Sequence, residues 1–304
     1  MLNLVIVGTT ALDNIKTPFG EVKNALGGSA VYAALAASFF CKTGITSIYG
    51  KDLEEEKLKL LSKRGIDLQG MIKGEKTFRW SGLYEYDMNE AKTLKTELNS
   101  LLEFKPVLPN NYKKADYVFL ANIDPDHQLS VISQTKKSAF ILIDTMNYWI
   151  NHKKEQLLKV IKKATAVVLS EDEARQLFKT ANLIQAGKQI INLGPEYVII
   201  KKGEHGALLF SYQGFFSAPG YPLEELKDPT GAGDSFGGAF IGYLAQSANR
   251  RTKKFDEKNI RRAVIYGSCA ASFCAESFGT DYIRKTKLSD IKERYHVFSE
   301  IRKF

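Results

Sequence analysis

The segment Asp228-Pro-Thr-Gly-Ala-Gly-Asp234, followed by Ser-Phe-Gly-Gly238 and a long apolar stretch, constrains this protein more than any other part of its chain. Gly231, Ala232 and Gly233 carry little or no side chain, so their backbone N–H groups can approach a phosphate closely. The apolar stretch is helix-like, and the N-terminus of a helix adds the positive end of its dipole. We therefore predict an anion-binding loop that stabilises developing negative charge.

Asp234 places a carboxylate beside this predicted phosphate site, where it needs a hydroxyl or a cation as its partner. Phosphoryl transfer through a loose transition state requires a group that orients the nucleophile and removes its proton late. Asp234 suits that role. The alternative is an ordinary helix cap, since Asp, Ser and Thr often precede helices. Gly237, Gly238 and Gly242 favour the functional interpretation because they allow close packing of the following helix.

Apolar runs typical of buried parallel strands recur along the chain, and segments of helical spacing lie between them. This alternation predicts an α/β fold with a doubly wound, mainly parallel sheet flanked by helices. The predicted strands cover residues 4–7, 46–49, 117–121, 140–144, 166–170 and 197–201. The predicted helices cover residues 29–40, 54–64, 154–163, 171–178 and 184–191.

Two segments, 15–24 and 77–102, do not follow the alternation. The second contains the aromatic, strand-like run 78–86. We predict that the two segments pair as a small β lid over a single domain that spans residues 1–304. The alternative is an ordinary extension of the main sheet at its edge.

Composition sets broad limits on function. The 304 residues are 44% hydrophobic and 25% charged, which is ordinary for a globular protein with a sizeable core. A net charge of +9 favours anionic ligands, but the basic residues form scattered pairs without a nucleic-acid motif. We therefore expect a nucleotide as the anionic ligand and no nucleic-acid partner.

Localisation is predicted from what the sequence does not contain. No stretch has membrane-spanning length, and the apolar run 4–8 is too short for a signal peptide. Cys41, Cys269 and Cys274 form no CxxC pair, and an odd number of cysteines suits a reducing compartment. We expect a soluble cytoplasmic protein without membrane contact.

Three segments carry a family resemblance. Residues 228–238 strongly resemble the C-terminal signature of ribokinase-like, or PfkB-type, carbohydrate kinases. Leu26-Gly27-Gly28-Ser29-Ala30 resembles the N-terminal glycine motif of that family, and residues 199–207 are similar to its nucleotide-side strand and turn. The segments follow the family's order over nearly the whole chain.

The resemblance implies a kinase that transfers the γ-phosphate of ATP to a hydroxyl of a sugar or sugar derivative. It assigns Asp234 as the catalytic base, and the backbone of Gly231, Ala232 and Gly233 as the anion hole. It also implies that acceptor hydroxyls bind to Asp13, with Gly27 and Gly28 allowing close approach of the backbone. For Asp13 the alternative is a turn residue at a strand end.

On the nucleotide side, the resemblance implies that Lys202, Gly203 and Gly206 form the turn beside ATP, although Lys202 could equally be an exposed surface lysine. The family's Asn-x-x-Glu motif, which organises Mg²⁺ and water, aligns with residues 170–173. Ser170 stands in place of the asparagine, and its nucleotide-side contact is in doubt. Glu173 can still act on hydrated Mg²⁺.

Further implications concern cations and the adenine. Some members bind a monovalent cation such as K⁺, for which Asp228 and Thr230 are the candidate ligands here. Residues 258–278 resemble the wall of the adenine pocket, and close helix packing is the alternative. Tyr32 departs from ribokinase, which has an asparagine near the sugar, and either stacks on a ring or packs within its helix.

The acceptor and the oligomeric state stay open. A sugar is the first hypothesis, and a nucleoside is the second, because lid aromatics could stack on a base: Phe78, Trp80, Tyr84 and Tyr86. A nucleotide-binding regulator without turnover is a third possibility. Lid sheets in this family often pair between subunits, so a homodimer through the lid is also a hypothesis.

Overall fold

The structure, a computed structural model, describes residues 2–248 and 255–301. It contains one large and one small β-sheet, with helices on both faces of the large one. The strands are β1 Leu4–Val7, β2 Ala11–Thr17, β3 Gly20–Gly27, β4 Thr43–Gly50, β5 Asp67–Gly74, β6 Phe78–Tyr84, β7 Ala91–Glu97, β8 Tyr117–Leu120, β9 Phe140–Ile143, β10 Ala166–Ser170, β11 Tyr197–Lys201, β12 Ala207–Ser211 and β13 Gly214–Ala218. The helices are α1 Ser29–Ala37, α2 Glu55–Lys63, α3 Pro125–Gln134, α4 Asn147–His152, α5 Lys154–Ile161, α6 Glu171–Phe178, α7 Leu183–Ile191, α8 Ala232–Ser247, α9 Glu257–Ala275 and α10 Leu288–Glu300.

The large sheet confirms the predicted doubly wound architecture. Its nine strands run in the order β13-β12-β11-β10-β9-β8-β1-β4-β5, and all neighbours from β11 to β5 are parallel. The chain leaves β1 towards β4 on one side and later returns to β8 on the other. Such a reversal opens a crevice at the carboxyl ends of the strands, where ligands bind in open α/β sheets.

The antiparallel strands β12 and β13 were not predicted. They form a hairpin that extends the sheet beyond β11, and its second strand is partly exposed. The predicted bounds of β10 and β11 agree with the structure to the residue, because both are continuous apolar runs covered on each face. The segment of β5 is mostly polar and partly exposed, so it gave no comparable signal.

The two faces of the sheet carry separate hydrophobic cores, as alternation along a strand requires. Leu4 and Ile6 belong to the core shared with α1, α8 and α9, whereas Val5 and Val7 belong to the core shared with α3, α5, α6 and α7. Helices α1 and α8 approach closely at small residues. A Cβ on Gly238 would lie 2.1 Å from the Ala33 carbonyl oxygen, so this glycine lets α8 pack directly on α1.

The small sheet has the order β3-β2-β6-β7 and corresponds to the predicted lid, with shifted bounds. β2 begins at Ala11, so Asp13 belongs to this sheet, and β3 continues to Gly27. The sequence pattern missed both extensions because Ala, Asp and Gly weaken the usual strand signal. That residues 1–304 fold as one domain stays a prediction. Within the two described ranges, no helix is both long and apolar enough to cross a bilayer.

Candidate active site

The loop before α8 depends on Gly231. This residue has φ +77° and forms the N-cap of α8, a backbone conformation that glycine adopts at no steric cost. A Cβ at this position would lie 2.3 Å from Cγ of Tyr32, whose ring packs against the loop from α1. Tyr32 is 1% exposed, which agrees with the helix-packing interpretation of this residue.

The backbone amides of the loop that the sequence predicts to bind an anion differ in whether they already have an acceptor. The N–H of Ala232 donates to the carbonyl oxygen of Pro229 at 3.0 Å. Within the described residues, no acceptor engages the amides of Gly231, Gly233 and Asp234. The amides open to an anion are therefore these three, at the positive end of the α8 dipole.

Four charged side chains from four elements meet beside this loop. Asp144 follows β9, Glu173 lies in the first turn of α6, Lys201 ends β11, and Asp234 lies in the first turn of α8. Nζ of Lys201 lies 3.3 Å from Oδ2 of Asp144. A Cβ on Gly233 would lie 2.9 Å from the same Nζ, so the ammonium sits against the anion-binding loop.

Burial and mutual repulsion shift the ionisation of these groups. Burial raises the pKa of Asp234 to about 7, Asp144 and Glu173 add to the rise, and Lys201 opposes it. Burial and the charge of Asp144 likewise raise the pKa of Glu173 to about 7. Burial alone would lower the pKa of Lys201, but the three carboxylates raise it, so the lysine is charged. The cluster holds three carboxyl groups against one ammonium.

Ser170 has a clear structural role. Its Oγ accepts a hydrogen bond from the N–H of Glu173 at 3.2 Å, and its own N–H donates to Oε2 of Glu173 at 2.7 Å. This capping box satisfies two helix-end donors and fixes the glutamate side chain. Serine here positions Glu173, and its predicted contact with the nucleotide side stays a prediction.

The segment predicted to lie beside the nucleotide forms a tight turn, and its role stays a prediction. The N–H of Lys202 donates to the carbonyl oxygen of Gly206 at 2.7 Å. Gly203 and Gly206 have φ +54° and +88°, and a Cβ on Gly203 would lie 2.2 Å from Oδ1 of Asn89 in the small sheet's β6–β7 turn. The charged cluster contains Lys201 instead of Lys202.

Sequence reasoning missed Asp144 and Lys201 as site residues. Each is the polar last residue of a predicted strand, 140–144 or 197–201. The carboxyl ends of parallel strands meet at one edge of a sheet, so the position of Asp144 and Lys201 at strand ends could have identified both as site residues.

A second group of residues lies under the small sheet. Asp13 is 3% exposed, and a Cβ on Gly27 would lie 1.9 Å from its Oδ2. Gly28 has φ +97° and caps α1, and its N–H stabilises the Asp13 carboxylate. Burial, with the charges of Asp228 and Asp234, nevertheless raises the pKa of Asp13 to about 8.

Asp228 is fully buried, and both of its oxygens are engaged. Oδ1 accepts from the N–H of Thr230 and Oδ2 from the N–H of Gly279, each at 2.9 Å. The Thr230 hydroxyl donates to the Tyr84 hydroxyl at 3.2 Å, which ties the small sheet to the loop before α8. The Cys274 thiol donates to the Thr230 carbonyl oxygen at 3.3 Å.

The four lid aromatics have different environments. β2 and β6 are parallel, and their register pairs Asp13 with Trp80, so these residues share the face of the small sheet that lies over the site. Tyr84 lies on the same face and is buried, whereas Tyr86 is 86% exposed. Trp80 is partly buried and is the aromatic residue paired with Asp13.

A helix N-terminus with open amides, at the carboxyl edge of a doubly wound sheet, is typical of α/β proteins that bind phosphorylated ligands. The model of the pfkB family carbohydrate kinases matches residues 1–287, and this chain belongs to that family.

Curated relatives agree with the family assignment. A cytidine kinase of Thermococcus kodakarensis is 27% identical over 250 residues, covering 80% of this chain and 89% of the relative. A nucleoside kinase of Methanothermobacter thermautotrophicus is 24% identical over 313 residues, covering 98% and 96%. Among solved structures, a putative ribokinase II from E. coli in complex with ATP and Mg²⁺ has a TM-score of 0.76 at 19% identity, covering 98% and 100%. The chain is thus a ribokinase-family sugar or nucleoside kinase.

Proposed function

We propose that this protein transfers the γ-phosphate of ATP to a sugar hydroxyl of a nucleoside. The observation that carries the phosphotransferase assignment is Asp234, a partly buried carboxyl group at the open N-terminus of α8 whose pKa is raised to about 7. A base with a pKa near neutrality is matched to proton transfer at physiological pH. The adjacent amides supply the donors that a transferring phosphoryl group requires.

The proposed reaction replaces one phosphorus–oxygen bond with another. The acceptor oxygen forms a bond to the γ-phosphorus, while the bond from that phosphorus to the bridging oxygen breaks and its electron pair leaves with ADP. The acceptor proton passes to the Asp234 carboxylate. The amides of Gly231, Gly233 and Asp234 donate to the phosphoryl oxygens. In this scheme Asp234 orients the acceptor hydroxyl and receives its proton.

Hydrated Mg²⁺ fits the charge of the cluster better than a directly ligated ion does, since among the described residues no group of three or more His, Cys, Asp or Glu side chains is arranged to hold a metal. Three carboxyl groups, of which Asp144 is buried and the other two are partly buried, face a single ammonium, and a divalent cation would relieve the excess negative charge. Glu173, held by Ser170, would bind it through water. When bound, Mg²⁺ neutralises charge on the β- and γ-phosphate oxygens.

K⁺ fits less well. Both oxygens of Asp228 already accept backbone N–H groups, and the carbonyl of Thr230 accepts the Cys274 thiol. We propose that Asp228 chiefly holds the loop before α8 against Gly279, and we assign no step of the reaction to K⁺.

The nucleoside acceptor is supported by two observations. The relatives that match over most of this chain are named cytidine kinase and nucleoside kinase. In addition, Trp80 offers a flat apolar surface on the face of the small sheet that carries Asp13. In our scheme Asp13 binds ribose hydroxyls and Trp80 stacks on the base, which contributes about 0.5–1.5 kcal/mol beyond area burial.

A free sugar is the second candidate, because the matched family is described as carbohydrate kinases and Asp13 alone would recognise a polyol. The test is ADP release with ATP, Mg²⁺ and a panel of nucleosides and free sugars. Preference for nucleosides by kcat/KM supports the proposal, and turnover confined to free sugars contradicts it. A regulator without turnover would release no ADP with any acceptor.

Two aromatic variants sharpen this test. Trp80→Ala should lower kcat/KM for the preferred nucleoside roughly tenfold while leaving the KM for ATP unchanged, since stacking acts on the acceptor alone. Tyr86→Ala removes an aromatic side chain that is 86% exposed in the turn between β6 and β7, and it should have no effect. Equal losses in the two variants would contradict a stacking role for Trp80.

The small sheet also supports a hypothesis about assembly. Leu94 lies in β7 and is 63% exposed, and Phe19, in the turn between β2 and β3, is 54% exposed. A homodimer through this sheet would cover them, and sedimentation analysis of Leu94→Lys against the wild-type protein tests that hypothesis. A change from dimer to monomer supports it.

A further inference from the structure

The ammonium of Lys201 is more deeply buried than an ordinary surface lysine. Its side chain is 18% exposed, and that of its partner Asp144 is 5% exposed. Within the described residues, Asp144 is the hydrogen-bond acceptor of Nζ, at 3.3 Å, so two of the three N–H donors of the ammonium stay free. A buried ion pair with a single long hydrogen bond seldom repays the desolvation of both charges. Stability alone is therefore a poor explanation for this lysine.

The position of Nζ indicates what it could bind. It lies against Gly233, where a Cβ would approach within 2.9 Å, and the amides of Gly231, Gly233 and Asp234 are open beside it. Two free N–H donors of the Lys201 ammonium, which also pairs with Asp144, and three open backbone N–H groups thus converge on one small region at the N-terminus of α8. Only an anion with several acceptor oxygens satisfies such a set of donors.

We propose that Lys201 binds the phosphoryl group during its transfer and holds it against the amides of Gly233 and Asp234. This inference rests on the proposed function and assigns it a further catalytic residue. The bonds formed and broken are those of the proposed reaction, and the acceptor proton goes to Asp234. Lys201 donates hydrogen bonds throughout and keeps its own proton. Asp144 acts as a positioning residue that holds the ammonium at the edge of the sheet.

The competing explanation is purely structural, with Lys201 serving only to neutralise Asp144. Lys153 provides a matched comparison, because its Nζ lies 2.8 Å from Oδ2 of Asp124 and 33% of its side chain is exposed. Lys153 pairs with a carboxylate at the start of α3, away from the loop before α8. Both lysines lose an ion pair when changed to methionine, but only one loses a phosphate contact.

Steady-state kinetics give the first comparison. Lys201→Met should lower kcat roughly 10²–10³-fold, as expected for removal of a preorganised donor to a developing charge. The KM for the acceptor should change by less than about threefold, because the acceptor does not contact Nζ. Lys153→Met should retain the wild-type kcat. Equal kcat values for Lys201→Met and the wild-type protein would overturn the proposal.

A double variant guards against misfolding. Lys201→Met leaves Asp144 buried without its partner, which by itself could unfold the protein. Lys201→Met combined with Asp144→Asn removes both charges and restores a neutral core. A folded double variant that still lacks phosphoryl transfer supports the proposal. A double variant that recovers the wild-type kcat contradicts the proposal and supports the structural explanation.

Ligand affinity gives a readout that does not depend on turnover. By calorimetry, Lys201→Met and the double variant should bind β,γ-methylene ATP at least about tenfold more weakly than the wild-type protein does, with unchanged affinity for ADP, which lacks the γ-phosphate. Equal losses for both nucleotides contradict the proposal. This comparison remains decisive even if the acceptor panel shows no turnover, so failure of the proposed function and failure of the Lys201 assignment are distinguishable.

Discussion

Two groups of carboxyl groups lie beside the loop before α8, and only one of the two groups contains a cation. On the phosphate side, Asp234 shares its surroundings with Lys201 and has a pKa of about 7. On the acceptor side, Asp13 lies near Asp228, and no lysine or arginine is among the groups that shift the pKa of Asp13. That pKa is about 8. Burial is the largest cause of both rises.

The difference matches the ligands that each side would bind. With an ammonium nearby, a substantial fraction of Asp234 is ionised at neutral pH and can accept a proton, and the same ammonium attracts a phosphate. Asp13 is mostly protonated in the free protein, so it can both donate to and accept from the hydroxyls of an uncharged sugar. The comparison teaches that burial alone does not specify the role of a carboxyl group. The presence or absence of a nearby positive charge specifies that role.

The largest effect is expected from Asp234→Asn. This change keeps the shape of the side chain and removes its ability to accept a proton, so kcat should fall roughly 10³-fold. Affinity for the ATP analogue should change by less than about threefold. Asp126→Asn, also in the first turn of a helix but exposed, is the control and should be fully active. Normal turnover by Asp234→Asn would remove the basis of the mechanism.

A smaller effect is expected on the acceptor side. Asp13→Ala removes the hydrogen bonds to the acceptor hydroxyls and should raise the acceptor KM roughly 10–100-fold, in line with two hydrogen bonds of about 0.5–1.5 kcal/mol each. The KM for ATP should stay unchanged. Initial rates with each substrate varied in turn provide the measurement. A rise confined to the KM for ATP would show that Asp13 acts on the nucleotide and not on the acceptor, which would contradict this prediction.

The pH profile tests the role of Asp234, the carboxyl group whose pKa the nearby Lys201 ammonium lowers. Asp234 must be ionised to accept a proton, so kcat/KM should rise with pH through its pKa of about 7 and level off above about 8. Below about pH 6 it should fall roughly tenfold per pH unit. A profile measured from pH 5 to 9 at constant ionic strength suffices. A flat profile from pH 5.5 to 8 would contradict Asp234 as the base.

The last effect concerns stability and not turnover, and it has an unusual sign. Asp13 loses its proton near pH 4 when unfolded but at about pH 8 in the folded protein, so the folded state binds more protons between these values. Stability therefore falls as pH rises from about 4 to about 8, and Asp13→Asn removes that loss. We expect a higher Tm for Asp13→Asn than for the wild-type protein at pH 7.5, and little difference at pH 4.5.

Asp228→Asn is the matched control for this stability measurement. The Asp228 oxygens both accept backbone N–H groups, so an amide nitrogen in place of one oxygen would face a donor. The Tm of Asp228→Asn should fall at pH 7.5, opposite to that of Asp13→Asn. Shifts of the same sign in both variants would show that the two acceptor-side carboxyl groups are equivalent.

Much of the fold was predictable because it rests on local patterns. Strands β10 and β11 are continuous apolar runs, and helix α6 matched its predicted bounds of 171–178. Strand β13 and the start of β2 were missed, because partial exposure and residues such as Asp and Ala obscure the strand pattern. Strand β12 is a buried apolar run, so the sequence contained a signal for it that was not used. The sequence also did not bring Lys201 into the site, since adjacent residues at a strand end point in different directions and only the structure shows which of them faces Asp144.

The sequence by itself determined the loop 228–234, its small residues and the helix that follows, because backbone approach to an anion depends on local side-chain volume. Only the tertiary structure brought Asp144, Glu173 and Lys201 to that loop, and only it paired Asp13 with Trp80 across two strands. The physical reason is that pKa values and ligand geometry depend on distances between residues far apart in the chain. Those distances are set by the winding of the sheet, which no local pattern contains.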